Sequence, residues 1–495
     1  MTETDPVGER SSGNLDSEET GSNNPFGTPE EVAQPERERI TIMEERQPDP
    51  QRTEPTPLPV RETPQTTSAE TAERERERRE AADRARREAA ERASLEVRRR
   101  ALTTASLVAS QSISVERDPE LQGLLAYQAY LLHTRNNGEP FNAVIYDGLY
   151  QAMKKLVSPA YNIYPNLRNS IKAIAWLRRS ASILTISSDG SVKILSGNLA
   201  NRSSQITLAS TGLNNECLAV SPDGRVAVVG TNGGGLLFLE LENRGQVIHS
   251  DTEHGSIVLF LETLGNTGRF VSAGTENRIL LWNFEGYESS TLVTTTARPS
   301  ALAATSDGRT IAYGTRDGKL FEMDVNSPGQ ARQVADFGSN HIRSLAYSPS
   351  GQILVAGLLD GSLRVLSGNG RQVVATLSGP GSRVADLAYS PDGRHLAAAS
   401  HDGHVYLWST SDWSASPIVF SENNGFVLAV CFSGNSRYFY SGSVDYPRLV
   451  GRPSETAVMV GDFCSLLGRN LTRAEWNQYF GDEIPYEETC PGLNQ

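Results

Sequence analysis

Lysine is nearly missing from this chain. It stands only at 154, 155, 172, 193 and 319, so 41 of the 46 basic residues are arginine. Coding bias explains the skew better than heat adaptation, whose commoner mark is lysine enrichment. Cysteine is almost as scarce, at four in 495 residues. That is too few for a disulfide framework, and a reducing compartment is the simpler expectation. No run of about 18 apolar residues occurs, and the opening MTETDPVGERSSG has neither a basic nor an apolar signal region. The expectation is a cytoplasmic protein without membrane insertion. Basic charge is also short overall: the net charge of -13 argues against nucleic acid as a partner, which calls for a basic face to replace counterions.

What is abundant is glycine, 43 residues, which fits many turns between short strands. Residues 1–66 are the exception. They are rich in Glu, Pro, Thr, Ser and Gln, too poor in bulky apolar groups to offset the entropy of ordering, and read as a disordered tail. Its Asn24-Pro25-Phe26 is weak as a linear motif, because such tripeptides recur by chance. From 67 to 114, with Thr67 and Glu70 as a capping box, a long helix is expected. Its first half pairs Glu with Arg at i, i+3 and i+4 around alanine, a solvated surface. Leucine enters only from Leu95 and Leu102, so a coiled coil that self-associates is the minor possibility. Residues 118–157 read as two packing helices. The first opens on Asp118-Pro119-Glu120; the second carries Ile145, Leu149, Met153 and Leu156 at helical spacing, with Lys154 and Lys155 at its C-terminal end.

From Ile171 one cycle repeats: strand, turn, small-residue strand, turn, strand. The first turn is Ser221-Pro222-Asp223-Gly224, Ser306-Asp307-Gly308, Ser348-Pro349-Ser350-Gly351 or Ser390-Pro391-Asp392-Gly393. Proline presets φ and glycine takes the positive φ of the reversal. The second turn falls at Asp189, Asn232, Glu276, Asp317, Asp360, Asp402 and Asp445, mostly Asp-Gly or Asn-Gly of the kind that matches strand twist. The spacings are 43, 44, 41, 43, 42 and 43 residues, the period of a propeller blade, and predict an all-β, seven-bladed propeller over 158–454. Blade seven ends near Val450 without an outer strand, while Tyr161, Asn162, Ile163 and Tyr164 precede blade one unassigned. Those four are expected to close the ring, because a bare edge would otherwise remain.

SPDGR, SHDGHVYLW and TENRILLW resemble WD repeats, with the Trp-Asp pair degraded to Trp408-Ser409 and Trp282-Asn283. The His-Ser-Asp-Trp hydrogen-bond network of that family is expected to be partial: Asp402 and Trp408 occur in blade six with no preceding histidine. The last segment, 455–495, is expected to be a helical tail, with Thr472 and Glu475 as a capping box and Trp476 beyond. Together with the helices before the propeller, it resembles the flanks of bacterial WD-repeat proteins that carry a STAND-type NTPase. This chain lacks the GxxxxGK[ST] loop of that module, so ATP-driven signalling does not carry over. Cys464, Arg469, Asn470, Thr472, Trp476 and Cys490 are expected to pack the tail. A disulfide or metal site at the two cysteines is the weaker alternative, since neither CxxC nor histidine lies nearby.

No catalytic, cofactor-binding or metal residue is predicted. His401 and His404 flank a turn that needs Asp-Gly in any case, with no third ligand, and no GxSxG elbow is present. The expected function is a non-enzymatic scaffold or adaptor that binds one or more proteins; Arg278, Arg316 and Tyr446 are loop side chains of the type that anchors partners. Two alternatives remain: a regulatory subunit acting in trans with a signalling or defence NTPase, and a hydrolase or lyase with its site in the central channel.

Overall fold

A computed structural model describes residues 68–165, 167, 169–368, 370–423, 425–444 and 448–494. The expected tail at 1–66, Thr67 and the turn at Asp445-Tyr446 lie outside the described residues. Met1–Arg78 and Arg79–Gln495 are two separate units. Helix α1 is Ser68–Ile113; it stays charged and almost wholly exposed through Arg100 and then becomes apolar, with Ala101, Ala105, Val108 and Ala109 buried. Asp118 caps α2 (Pro119–Arg135) by accepting the Leu121 N–H at 2.9 Å, and Asn142 caps α3 (Ala143–Val157), which packs on α2.

Six four-stranded antiparallel sheets and one of three strands follow. Their innermost strands are Ile171–Leu177, Asn215–Val220, Val258–Thr263, Pro299–Ala304, Ile342–Tyr347, Val384–Tyr389 and Val427–Phe432. Each touches the next, and the last touches the first, so seven blades surround a central channel. The second strand of each blade is buried along nearly its whole length, which explains its small residues. A Cβ on Gly314 would lie 2.7 Å from Ile342 Cβ, and one on Gly442 2.8 Å from Ile171 Cβ. At these positions bare backbone admits the β-branched residue that opens the next blade.

The first turns reverse as expected, with Gly224, Gly308, Gly351 and Gly393 at φ of 69–74°. The second turns need a correction. Gly190, Gly318, Gly361 and Gly403 have positive φ, but the Asp before each does not. Each glycine N–H donates to a carbonyl three residues back, as from Gly190 to Ser187. The turn is thus a type I reversal closed by a left-handed glycine, and the Asp side chain caps it, Asp189 Oδ1 accepting from Ser191 N–H at 3.0 Å. In blade two the positive φ falls on Gly234, bonded to Thr231, so Gly233 and not Asn232 stands where Asp189 stands in blade one.

The expected partial His-Ser-Asp-Trp network is also corrected, because blade three holds a full one with Glu276 as the acid. Trp282 Nε1–H donates to Ser272 Oγ at 2.7 Å, His254 Nε2 lies 2.6 Å from Ser272 Oγ, and His254 Nδ1 bonds Glu276, which also accepts from Ser256. Hydrogen-bond logic fixes the direction: the serine hydroxyl, taking the indole N–H, donates to Nε2, so Nδ1–H donates to the carboxylate. Ser272→Ala strands a buried indole N–H and an imidazole lone pair, and is expected to cost about 1–3 kcal/mol by urea denaturation. Adding His254→Phe should cost less than the two singly; additive losses would show that the four residues do not act as a unit.

Blade seven has only Val427–Phe432, Tyr438–Ser443 and Leu449–Pro453. Along its free edge Ile163 pairs antiparallel with Val450, Tyr164 N–H donates to Leu449 O at 2.9 Å and Gly451 N–H to Asn162 O at 2.9 Å. Tyr161 and Tyr164 are buried beside them. The helices pack over the same edge, Tyr146 Oη donating to Pro453 O at 2.6 Å.

Beyond blade seven lie α4 (Thr456–Met459), a 3-10 turn (Val460–Leu466) and α5 (Arg473–Phe480). Cys464 and Cys490 form a disulfide across a 26-residue separation. Cys490 is buried and Cys464 packs against the same core, and the bond between them, with Cα atoms 5.6 Å apart, is the pairing that the spacing left as the weaker alternative. Around the bond, Asn470 Nδ2 donates to Cys490 O and Leu493 O, Arg469 pairs with Glu475 at 2.8 Å, and Thr472 completes a capping box with Glu475. Trp476 donates to Ile484 O and stacks on Phe480.

Candidate binding face

One end of the channel collects the residue ahead of each innermost strand and the residue after each second strand. They are paired through the backbone: Arg316 N–H donates to Arg298 O, Leu359 to His341, His401 to Arg383 and Val444 to Phe426, at 2.9–3.1 Å. Arg343 is the second residue of the innermost strand of blade five, beside them. Blades four to six therefore bring Arg298, Arg316, Arg343 and Arg383 to one side of the mouth. Burial, and then the charges of Arg383, Arg316 and Arg298, hold Arg343 below its ordinary pKa; burial and then Arg316 lower Arg298. The nearby acids are engaged elsewhere. Glu276 serves His254 and Ser256, Asp317 pairs with Lys319 at 2.8 Å, and Asp402 accepts from Gly381 N–H at 2.6 Å and from Tyr406 Oη–H. None of the four arginines forms an ion pair among the described residues, and Arg298 Nε is buried without a hydrogen-bond partner.

Large apolar side chains share this mouth: Phe426 is 48% exposed, Leu359 43% and Ile257 37%. His401 stacks on Phe426 at 4.5 Å. Burial, followed by Arg383 and Arg343, pushes the His401 pKa down to about 4, so its ring is neutral near pH 7. His404 lies 3.3 Å from Asp402, and no group of three or more metal-ligating side chains exists among the described residues. Of the other loop candidates, Arg278 pairs with Glu253 at 3.1 Å and Tyr446 lies outside the described residues.

Two carboxylates face the channel itself, a feature no sequence motif marked. Burial raises Glu262 to about 8, helped by the charge of Asp386, and raises Asp386 to about 6. Both oxygens of Asp386 are engaged, accepting from Leu387 N–H and Val430 N–H at 2.9 Å, and Glu262 accepts from Ala304 N–H. Each acid thus straps its blade to the following one. Burial pushes the neighbouring Cys431 thiol well up, so it remains protonated and poorly nucleophilic. A separate cavity of about 560 Å³ lies where the helices meet blade six, lined by Tyr130, His133, Phe141, Ile145 and His395. Burial lowers His395 to about 4.

Seven sheets closed into a ring, with the turn chemistry described, define a seven-bladed WD-repeat propeller. Residues 332–367, 371–409 and 416–446 match the family model for the WD domain, G-beta repeat. Among known proteins the chain is similar to Autophagy-related protein 16 of Arabidopsis thaliana, at 27% identity over 223 residues, 44% of this chain and 43% of the relative. The match therefore spans less than half of that relative's length. No described helix is long and apolar enough to cross a membrane.

Proposed function

We propose that this protein is a non-enzymatic interaction scaffold or adaptor, with the propeller mouth as the surface for one protein partner and the charged α1 with the segment before it as the surface for another. The observation that carries this reading is the contrast between the two regions of the disc. In the channel, Glu262 and Asp386 are consumed in blade-to-blade bonds; at the mouth, arginines with no ion pair among the described residues adjoin exposed Phe426 and Leu359. Arg and aromatic side chains with an apolar surround are what interfaces use as anchors. The matched WD repeats and the likeness to a protein named for autophagy are in keeping with a role in binding other proteins. A channel hydrolase or lyase has one observation in its favour, the Glu262 and Asp386 pair; the engaged oxygens of Asp386 weigh against it.

The test is affinity purification from the native host with the full chain and with a chain lacking residues 1–92. The cut stops there because α1 is buried from Ala101. Some partners should persist and others vanish on truncation. An unchanged set removes the second surface, and no specific partner in either sample removes the scaffold reading.

A further inference from the structure

The mouth has a chemistry that narrows the kind of partner. Four arginines from three blades stand together, none of them in an ion pair among the described residues. Holding like charges close is unfavourable unless an anion is to be met, and guanidinium forks suit carboxylates and phosphates. A nucleic acid, which calls for an extended basic face, would meet only this one small patch in a chain of net charge -13 and would leave the apolar rim unused. A bare inorganic anion also leaves it unused. An extended peptide uses both.

We propose that the channel mouth binds an acidic peptide segment of a partner protein. Its carboxylates or phosphates meet Arg298, Arg316, Arg343 and Arg383, while an apolar side chain among them rests on Phe426 and Leu359. The inference rests on the scaffold reading and names the partner's chemistry. Arg298 Nε, buried with no hydrogen-bond partner among the described residues, is a donor that such an anion would take up.

The experiment uses the full chain and fluorescence anisotropy with four labelled probes: an octapeptide of Glu and Asp around one Phe, the same peptide with phosphoserine in place of two Glu, a Gln/Asn version, and a single-stranded oligonucleotide of equal charge. The acidic peptide should bind and weaken as salt rises, and the Gln/Asn version should not bind; comparison of the two acidic forms tells carboxylate from phosphate preference. Arg298→Gln with Arg383→Gln should weaken binding about 10-fold or more, the loss of two charge-assisted hydrogen bonds. Arg316→Glu, at an exposed position, gives the same direction should the double variant fold poorly, and Phe426→Ser should weaken the peptide while leaving charge intact. Equal binding by the neutral peptide, equal or tighter binding by the oligonucleotide, insensitivity to these variants, or no binding by any probe overturns the proposal. If native partners are still captured by a folded Arg316→Glu chain that has lost nothing, the scaffold reading stands and this inference fails; if the wild-type chain captures none, the scaffold reading itself fails.

Discussion

Arg452→Met is expected to lower the stability of the propeller by about 3–5 kcal/mol, the loss typical when one member of a buried ion pair is removed. Arg452 is 0% exposed. Its guanidinium bonds Glu422 Oε2 at 2.9 and 3.1 Å, Ser441 Oγ at 2.7 Å and Asn423 Oδ1 at 2.8 Å, between the rings of Phe420 and Phe439. Asn423, Ser441 and Arg452 form in blade seven the relay that His254, Ser272 and Trp282 form in blade three, with a cation in the indole's place. A cation there needs an anion, and Glu422 is it. Removing the guanidinium leaves that carboxylate buried with Lys154, at 3.4 Å, as its remaining cation and the Tyr150 hydroxyl as a hydrogen-bond donor. Arg452→Met with Glu422→Gln should recover part of the loss, and an urea midpoint unmoved in the single variant would refute the role.

The same pair predicts an acid limb. Burial alone would raise Glu422; the charges of Arg452 and then Lys154 outweigh it and hold the group at about 2, against an ordinary 4.5. A carboxyl whose folded pKa is depressed stabilises the fold fully above its unfolded value and loses that contribution as pH falls through the folded one. The wild-type protein should therefore weaken between pH 4.5 and 2, and the double variant should show a shallower limb in that window.

Deletion of residues 158–166 is expected to be at least as damaging. Leu449–Pro453 would be left as a bare edge between blades seven and one, and Tyr161 and Tyr164 would leave the core, where a buried aromatic alone is worth about 3–5 kcal/mol. The readout is the thermal midpoint together with the soluble fraction. Tyr164→Pro and Tyr164→Phe bracket this residue's part in the loss, because the first removes both the N–H that meets Leu449 O and the ring, whereas the second removes only the hydroxyl bonded to Ser196 O. The proline variant should fall far below the phenylalanine one. An unchanged melt on deletion would mean that the ring closes without this segment.

Seven blades were legible in the sequence because a turn is local: Ser390-Pro391-Asp392-Gly393 needs only its own four residues to specify a reversal. Where several small residues adjoin, as at Asn232-Gly233-Gly234, locality gives the turn but not which residue takes the positive φ, and the register slipped by one. The blade-three network was hidden for another reason. Its acid is Glu276 where the family pattern has Asp, and its serine lies in a strand, with no punctuation to mark it. In blade seven the Trp slot holds Arg452, which a search for indoles passes over.

What the sequence by itself determined is the repeat: periodicity, turn chemistry and small-residue strands are short-range properties, and they specify seven meanders wherever the chain runs. What only the tertiary structure decided is whatever the closed ring brings together. Arg298, Arg316, Arg343 and Arg383 come from three blades and meet because the strand ends that carry them open on the same mouth. Glu262 and Asp386 interact across an axis that exists only after closure, and Cys464 reaches Cys490 only when the tail folds on itself. Radial symmetry turns equivalent positions into neighbours, and no local pattern records that.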